Sequence, residues 1–218
     1  PSNANMGGAI TYFDQLIAVP RATQYLTDLA YHRYGGVSTG NLQTIGARAQ
    51  AAGIRTGMLE HIGSGYQDLH QDLTLARNSS WQQFILGWCN NTDDGGGAYY
   101  HVDVSSPTAP VIRPDSRTRY LQQYFRDVRR GAVRYQATST SGTFEPLAFR
   151  NTSGRWTVVV KANAGGPFSV TGLPAGSYGV TYTTATEFRT ARPPVTLGAG
   201  QPLVTSIPAT GVLTIAAQ

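Results

Sequence analysis

Cysteine is almost missing from this chain. Cys89 is the sole thiol in 218 residues, so no disulfide can form within it. Lysine is as scarce: sixteen of the seventeen basic residues are arginine. Charged residues of every kind make up only 13% and hydrophobic ones 40%, an ordinary globular balance that excludes a disordered chain. No run reaches the roughly eighteen apolar residues a membrane-spanning helix needs. A basic-then-apolar signal segment is also lacking, and the chain opens on Pro1 rather than methionine. The expectation is therefore a portion of a longer polypeptide. What remains is ample for one large domain or two small ones with a real core.

The formal net charge of +5 and pI near 9.5 point at first to an acidic partner. The arginines are scattered, however, and the one cluster, "YFRDVRRGAVR" (Tyr124–Arg134), lacks the interleaved aromatics and glycine-rich loops of a nucleic-acid module. It reads as a solvated, salt-bridged face, and no nucleic-acid partner is expected.

Along residues 1–88 helical and extended patterns alternate. Apolar spacing predicts a helix over Thr11–Leu26, interrupted by Pro20. A short strand in Thr27–Gly36 follows, then a helix over Ser38–Gly53 with a serine start and a glycine stop. Ile54–Glu60 is again strand-like, Tyr66–Ser80 amphipathic, and Trp81–Cys89 a third buried strand. That order predicts βαβ crossovers in a parallel sheet. After Cys89 comes a loop, "NNTDDGGG", and then a helix over Ser116–Gly131. From Ala132 onward only short alternating runs remain, spaced as in an antiparallel sandwich. The fold expected is α/β followed by all-β, with domains 1–131 and 132–218.

Chemistry-bearing residues in parallel α/β folds gather where strands end. Here the predicted strand ends carry His32-Arg33-Tyr34, Glu60 and Trp88. An indole offers a flat apolar face to a pyranose ring, and polar neighbours can bond hydroxyls and hold a carboxylate. Glu60, with glycines after it, is the candidate nucleophile toward an anomeric carbon, and His32 or Tyr34 would keep it ionised. Trp88 fits either a sugar platform or the core.

These stretches, "LAYHRYGG", "GMLEHIGSG" and "WQQFILGW", resemble the sixth, seventh and eighth strands of a clan-A glycoside hydrolase barrel, most nearly glycoside hydrolase family 30. "YLQQYFRDVRRGAVRYQATS" resembles that family's junction helix and first sandwich strand. The resemblance implies the C-terminal part of a (β/α)8 barrel with a β-sandwich, and a retaining enzyme acting on a β-glycoside, oligosaccharide or polysaccharide. It matches Glu60 to the nucleophile, His32 and Tyr34 to residues contacting substrate and nucleophile, and Trp88 to the stacking aromatic. Arg33 departs from it, standing where the family more often has an aromatic residue. The family's acid/base, in an Asn-Glu-Pro motif after the fourth strand, would precede this chain. A secreted bacterial protein whose signal peptide is not in this sequence is expected, with little or no activity from this piece alone. A non-catalytic carbohydrate-binding or adhesion module is the other reading.

Other residues are weighed lightly. Glu145-Pro146 echoes the missing motif but lacks its asparagine and sits in the β-rich half. Asp93 and Asp94 suit a turn. His61, His70 and His101 have no metal-ligand spacing, so neither metal nor cofactor is expected. Asn78-Ser-Ser and Asn90-Asn-Thr fit glycosylation sequons, relevant only in a eukaryotic secretory route.

Overall fold

The computed structural model describes residues 5–89 and 95–218, which divide into two compact units, Pro1–Thr118 and Arg119–Gln218. In the first, Asn5 caps helix α1 (Met6–Ile17) by accepting from the N–H groups of Gly7 and Gly8. The helix begins and ends earlier than the spacing predicts. Its last turn closes ahead of Pro20, which cannot continue it, and only a 3-10 turn, Ala22–Tyr25, follows. Strand β1 (Asp28–His32), helix α2 (Thr39–Ala51), strand β2 (Arg55–Glu60), helix α3 (Tyr66–Gln71) and strand β3 (Ser80–Trp81) come next. Ser38 caps α2 through the Asn41 N–H at 3.1 Å, and Gly53, at φ +67°, turns the chain out of it. Beyond α3 the chain winds on as a π-helical turn, Asp72–Ala76.

The three strands form the expected parallel sheet in the order β1-β2-β3. Its core is a single cluster. Met6, Ala9 and Phe13 of α1 and Leu42, Ile45 and Ala49 of α2 pack with Leu29, Tyr31 and Met58 of the sheet. Burial of each large side chain there contributes about 1.5–3 kcal/mol. α2 rides close to the π turn: a Cβ on Gly46 would lie 2.7 Å from the Leu75 carbonyl oxygen.

The third strand is a correction. Only Ser80–Trp81 joins the parallel sheet; the Gln82 N–H makes one more bond to Met58, and the chain then leaves it. Residues Ile85–Trp88 form a separate strand, β4, which pairs in parallel with β5 (Ala98–Asp103), itself antiparallel to β6 (Val111–Pro114). Far from being buried, β4 is largely exposed, with Leu86 at 73%. Asp115 then starts helix α4 (Ser116–Phe125) by accepting from the Arg117 N–H, and its other carboxylate oxygen lies 3.0 Å from buried His101.

In the second unit a six-stranded antiparallel sheet has the order β12-β11-β14-β9-β8-β7. Its strands are β7 (Val133–Tyr135), β8 (Phe144–Arg150), β9 (Trp156–Ala162), β11 (Gly176–Thr184), β12 (Thr190–Leu197) and β14 (Gly211–Ala217). A two-stranded antiparallel ribbon joins β10 (Gly166–Val170) to β13 (Leu203–Ile207). One apolar cluster draws on both sheets: Val158, Val160, Val180, Leu213 and Ile215 from the large one, Leu203 and Ile207 from the ribbon. Gln123 of α4 bonds Thr181 and Thr183, and the Thr214 hydroxyl donates to its carbonyl. These bonds make the helix part of the second unit from Arg119 on, whereas the composition puts the change of character at residue 131. The helix itself ends at Phe125, where the Arg129 side chain donates to the last carbonyls.

Four strands escape the sequence reading, β5 and β6 in the first unit and β12 and β13 in the second. β12 contains Pro193 and Pro194, which argue against a strand. It tolerates them because it is the edge strand, and its pairing with β11 slips beside Gly179, opposite the two prolines.

Candidate functional site

The site grows from a register slip. Tyr31 of β1 pairs with Met58 of β2, but the next residue, His32, pairs with Glu60, so Leu59 is an extra residue in the ladder. The slip sets Glu60 beside His32 at the carboxyl end of the sheet. Two residues past His32, the Tyr34 hydroxyl donates to Glu60 Oε1 at 3.2 Å. The Ile62 N–H donates to that same hydroxyl at 3.2 Å, tying the loop after β2 to the tyrosine.

Aromatic rings enclose the pair. The His32 and Tyr34 rings meet edge to face at 6.0 Å, and Tyr34 and His61 lie 5.1 Å apart. His61 Nδ1 is 2.7 Å from the Ser64 hydroxyl, which fixes the ring. Burial holds the His61 imidazole below its ordinary pKa, with Arg33 and Arg117 adding to the effect and Asp68 opposing it. Burial, and then the bond to Glu60, holds the Tyr34 phenol above its own, with the Ile62 N–H opposing. A neutral phenol can therefore donate to the carboxylate across the neutral pH range. Tyr34 is 43% exposed, so a ligand can reach this corner.

Arg33, between the two, points the other way and is 5% exposed. Its guanidinium bonds Asp68, Gln71 and Asp72 on the winding that follows β2. Asp72 is fully buried and also accepts from Tyr31 Oη at 2.8 Å and Trp81 Nε1 at 2.9 Å. Burial pushes its carboxyl up to about 6, against the pull of Arg33 and its other donors.

The sequence-predicted residues thus part company. His32, Tyr34 and Glu60 are brought together, but Trp88 is not on the third parallel strand as expected. It ends β4, in a different sheet, half-exposed beside His101. Glu145 lies on β8 of the second unit, paired with Lys161 at 2.7 Å and accepting from Asn163. Asp93 and Asp94 lie outside the described residues. Among the described residues no group of three or more His, Cys, Asp or Glu is arranged to hold a metal ion. Sequence reasoning passed over His61, Ser64 and the acidic partners of Arg33. Arg33 could have signalled them: it continues the buried alternation Leu29, Tyr31, and a charge on that face demands a partner. Asp68 and Asp72, four apart on a helix, are the matching pair.

No family model matches the chain, and no curated protein matches it either. Solved structures do. An endoxylanase of glycoside hydrolase family 30 from Clostridium papyrosolvens C71 superposes with a TM-score of 0.77 at 15% identity, over 100% of this chain and 55% of that one. A subfamily 8 xylanase of the same family from Clostridium acetobutylicum gives 0.76 at 16%, over 100% and 55%. The catalytic domain of xylanase C from Talaromyces cellulolyticus gives 0.71 at 17%, over 96% and 49%. The chain spans about half the length of these structures, and at such identities the likeness establishes a shared fold. The likeness of motif to family 30 is matched by a likeness of fold.

Proposed function

We propose that this chain is part of a retaining glycoside hydrolase acting on β-glycosidic bonds, with Glu60 as the nucleophile. The observation that carries the reading is the Tyr34–Glu60 hydrogen bond at the ends of parallel strands, in a fold otherwise met in family 30 xylanases. The finer architecture goes with it: β1, β2 and the strands after them correspond to strands six to eight of a (β/α)8 barrel, with 1–131 the partial barrel and 132–218 a β-sandwich. Glu60 attacks the anomeric carbon, the bond to the leaving oxygen breaks, and water later cleaves the glycosyl ester. Tyr34 steadies the carboxylate, His32 bonds sugar hydroxyls, and Trp88 is available to stack on a neighbouring sugar. The acid/base, about 5 Å from the nucleophile in such enzymes, is assigned to the part of those structures that this chain does not span. The protein is read as secreted from a bacterium, and its substrate as a β-linked polysaccharide or shorter β-glycoside.

Trapping tests this without the acid/base. A dinitrophenyl fluoro-β-glycoside needs no protonation, because dinitrophenolate leaves with its electron pair unaided. Incubation of the chain with the xylobiose and glucose versions should add one glycosyl mass, mapped to Glu60 and lost in Glu60→Gln. Failure to label a folded chain that still binds xylo-oligosaccharides would favour the non-catalytic binding module.

A further inference from the structure

The loop that follows Glu60 is pinned at both ends. At its start the Ile62 N–H holds the Tyr34 hydroxyl, and at its end the Gly65 N–H donates to Asp68 Oδ2 at 2.9 Å. The other oxygen of Asp68 accepts from the Arg33 guanidinium at 2.9 Å. Asp68 is thus a bridge, one oxygen on the end of β1 and one on the loop that leaves β2. Gln71 accepts from the same Nη2 as Asp68, also at 2.9 Å, Asp72 accepts from Nη1, and Asp72 is itself gripped by Tyr31 and Trp81. The planar five-donor fork of arginine can meet three acceptors at once; a lysine ammonium on a flexible stem cannot reproduce that geometry.

We propose that Arg33 and Asp68 are positioning residues, which lock the end of β1 to the loop after β2 and thereby hold the Tyr34 hydroxyl on the Glu60 carboxylate. The role rests on the reading that Tyr34 and Glu60 form the site. Neither residue touches that pair; both act through the backbone on either side of it.

The test is a carboxyl spectrum at one fixed neutral pH. The chain holds only three glutamates, Glu60, Glu145 and Glu187, so side-chain 13C labelling gives three resolvable signals. Tyr34→Phe, which lacks the donated bond, marks where the Glu60 signal falls once that bond is gone. Asp68 gives one oxygen to Arg33 and the other to Gly65, and in Asp68→Asn one of the two becomes an amide nitrogen that cannot accept. Positioning predicts that Asp68→Asn moves the Glu60 signal toward its Tyr34→Phe position. Arg33→Lys keeps the charge and removes the fork, so it should do the same and leave Glu145 and Glu187 in place. A folded Asp68→Asn or Arg33→Lys whose Glu60 signal stays at the wild-type position overturns the proposal. Should one variant fail to fold, the other decides. A moved signal together with no trapping by the fluoroglycoside would uphold the positioning role and sink the hydrolase reading alone.

Discussion

At the scale of single residues, two hydroxyl and carboxyl groups carry expected outcomes. Tyr34→Phe removes one bond to Glu60 and one from Ile62. Each such bond contributes about 0.5–1.5 kcal/mol net, so urea denaturation should register a modest loss of stability. Fluoroglycoside trapping should slow by at least about tenfold, the share expected of an interaction worth about 1.4 kcal/mol in the transition state. Asp72 is the second case. Its carboxyl, raised by burial from 3.8 to about 6, binds a proton in the folded chain across a window where the unfolded chain has released it. Stability from this group is therefore greatest below about pH 4, falls as pH rises to about 6 and is flat above; the span is on the order of 3 kcal/mol. Urea midpoints of wild type and Asp72→Asn across that window should diverge by this slope, and parallel curves would contradict it. Glu60, His32 and Tyr34 were legible because strand ends and alternation place them. The Arg33 cluster was not, since its partners lie 35 or more residues away and only the folded chain joins them.

At the scale of elements, caps and close approaches set the sensitivities. Ser38→Ala removes the α2 cap and should cost about 1 kcal/mol. Gly46→Ala forces a Cβ against the carbonyls of Leu75 and Ala76, and overpacking of this kind costs about 1–3 kcal/mol. Thermal unfolding of the two variants should rank them in that order. Elements whose signal is local were readable from sequence: α2 by its serine and glycine, β1 and β2 by alternation, the valine-rich β9 and β14 by burial. Elements decided by context were not. β4 looks like a core strand by composition, yet its partner is β5 and its side chains face outward. β12 looks broken by Pro193 and Pro194, yet an edge accommodates both.

At the scale of the whole molecule, among the described residues the parallel sheet has strand partners for β1 and β3 on one side only. Parallel sheets are ordinarily closed or well covered, and open edges invite pairing with other chains. Sedimentation of this 218-residue chain should show association that rises with concentration. A monomer throughout the accessible range would show the edges to be protected. The basic pI near 9.5 keeps like-charged copies apart at low ionic strength, so added salt should promote the association.

The extra residue at Leu59 has a consequence for inheritance as well as geometry. Up to Met58, the even-numbered positions of β2, Thr56 and Met58, are buried, and Met58 joins the apolar core; without the slip, Glu60 would inherit that parity and be sent inward. One surplus residue changes the phase, so the same strand can close on a carboxylate without any change to its interior code. Insertion or loss of a single codon in this strand would therefore act as a frameshift in space, leaving every other amino acid unchanged while exchanging which of them face the core.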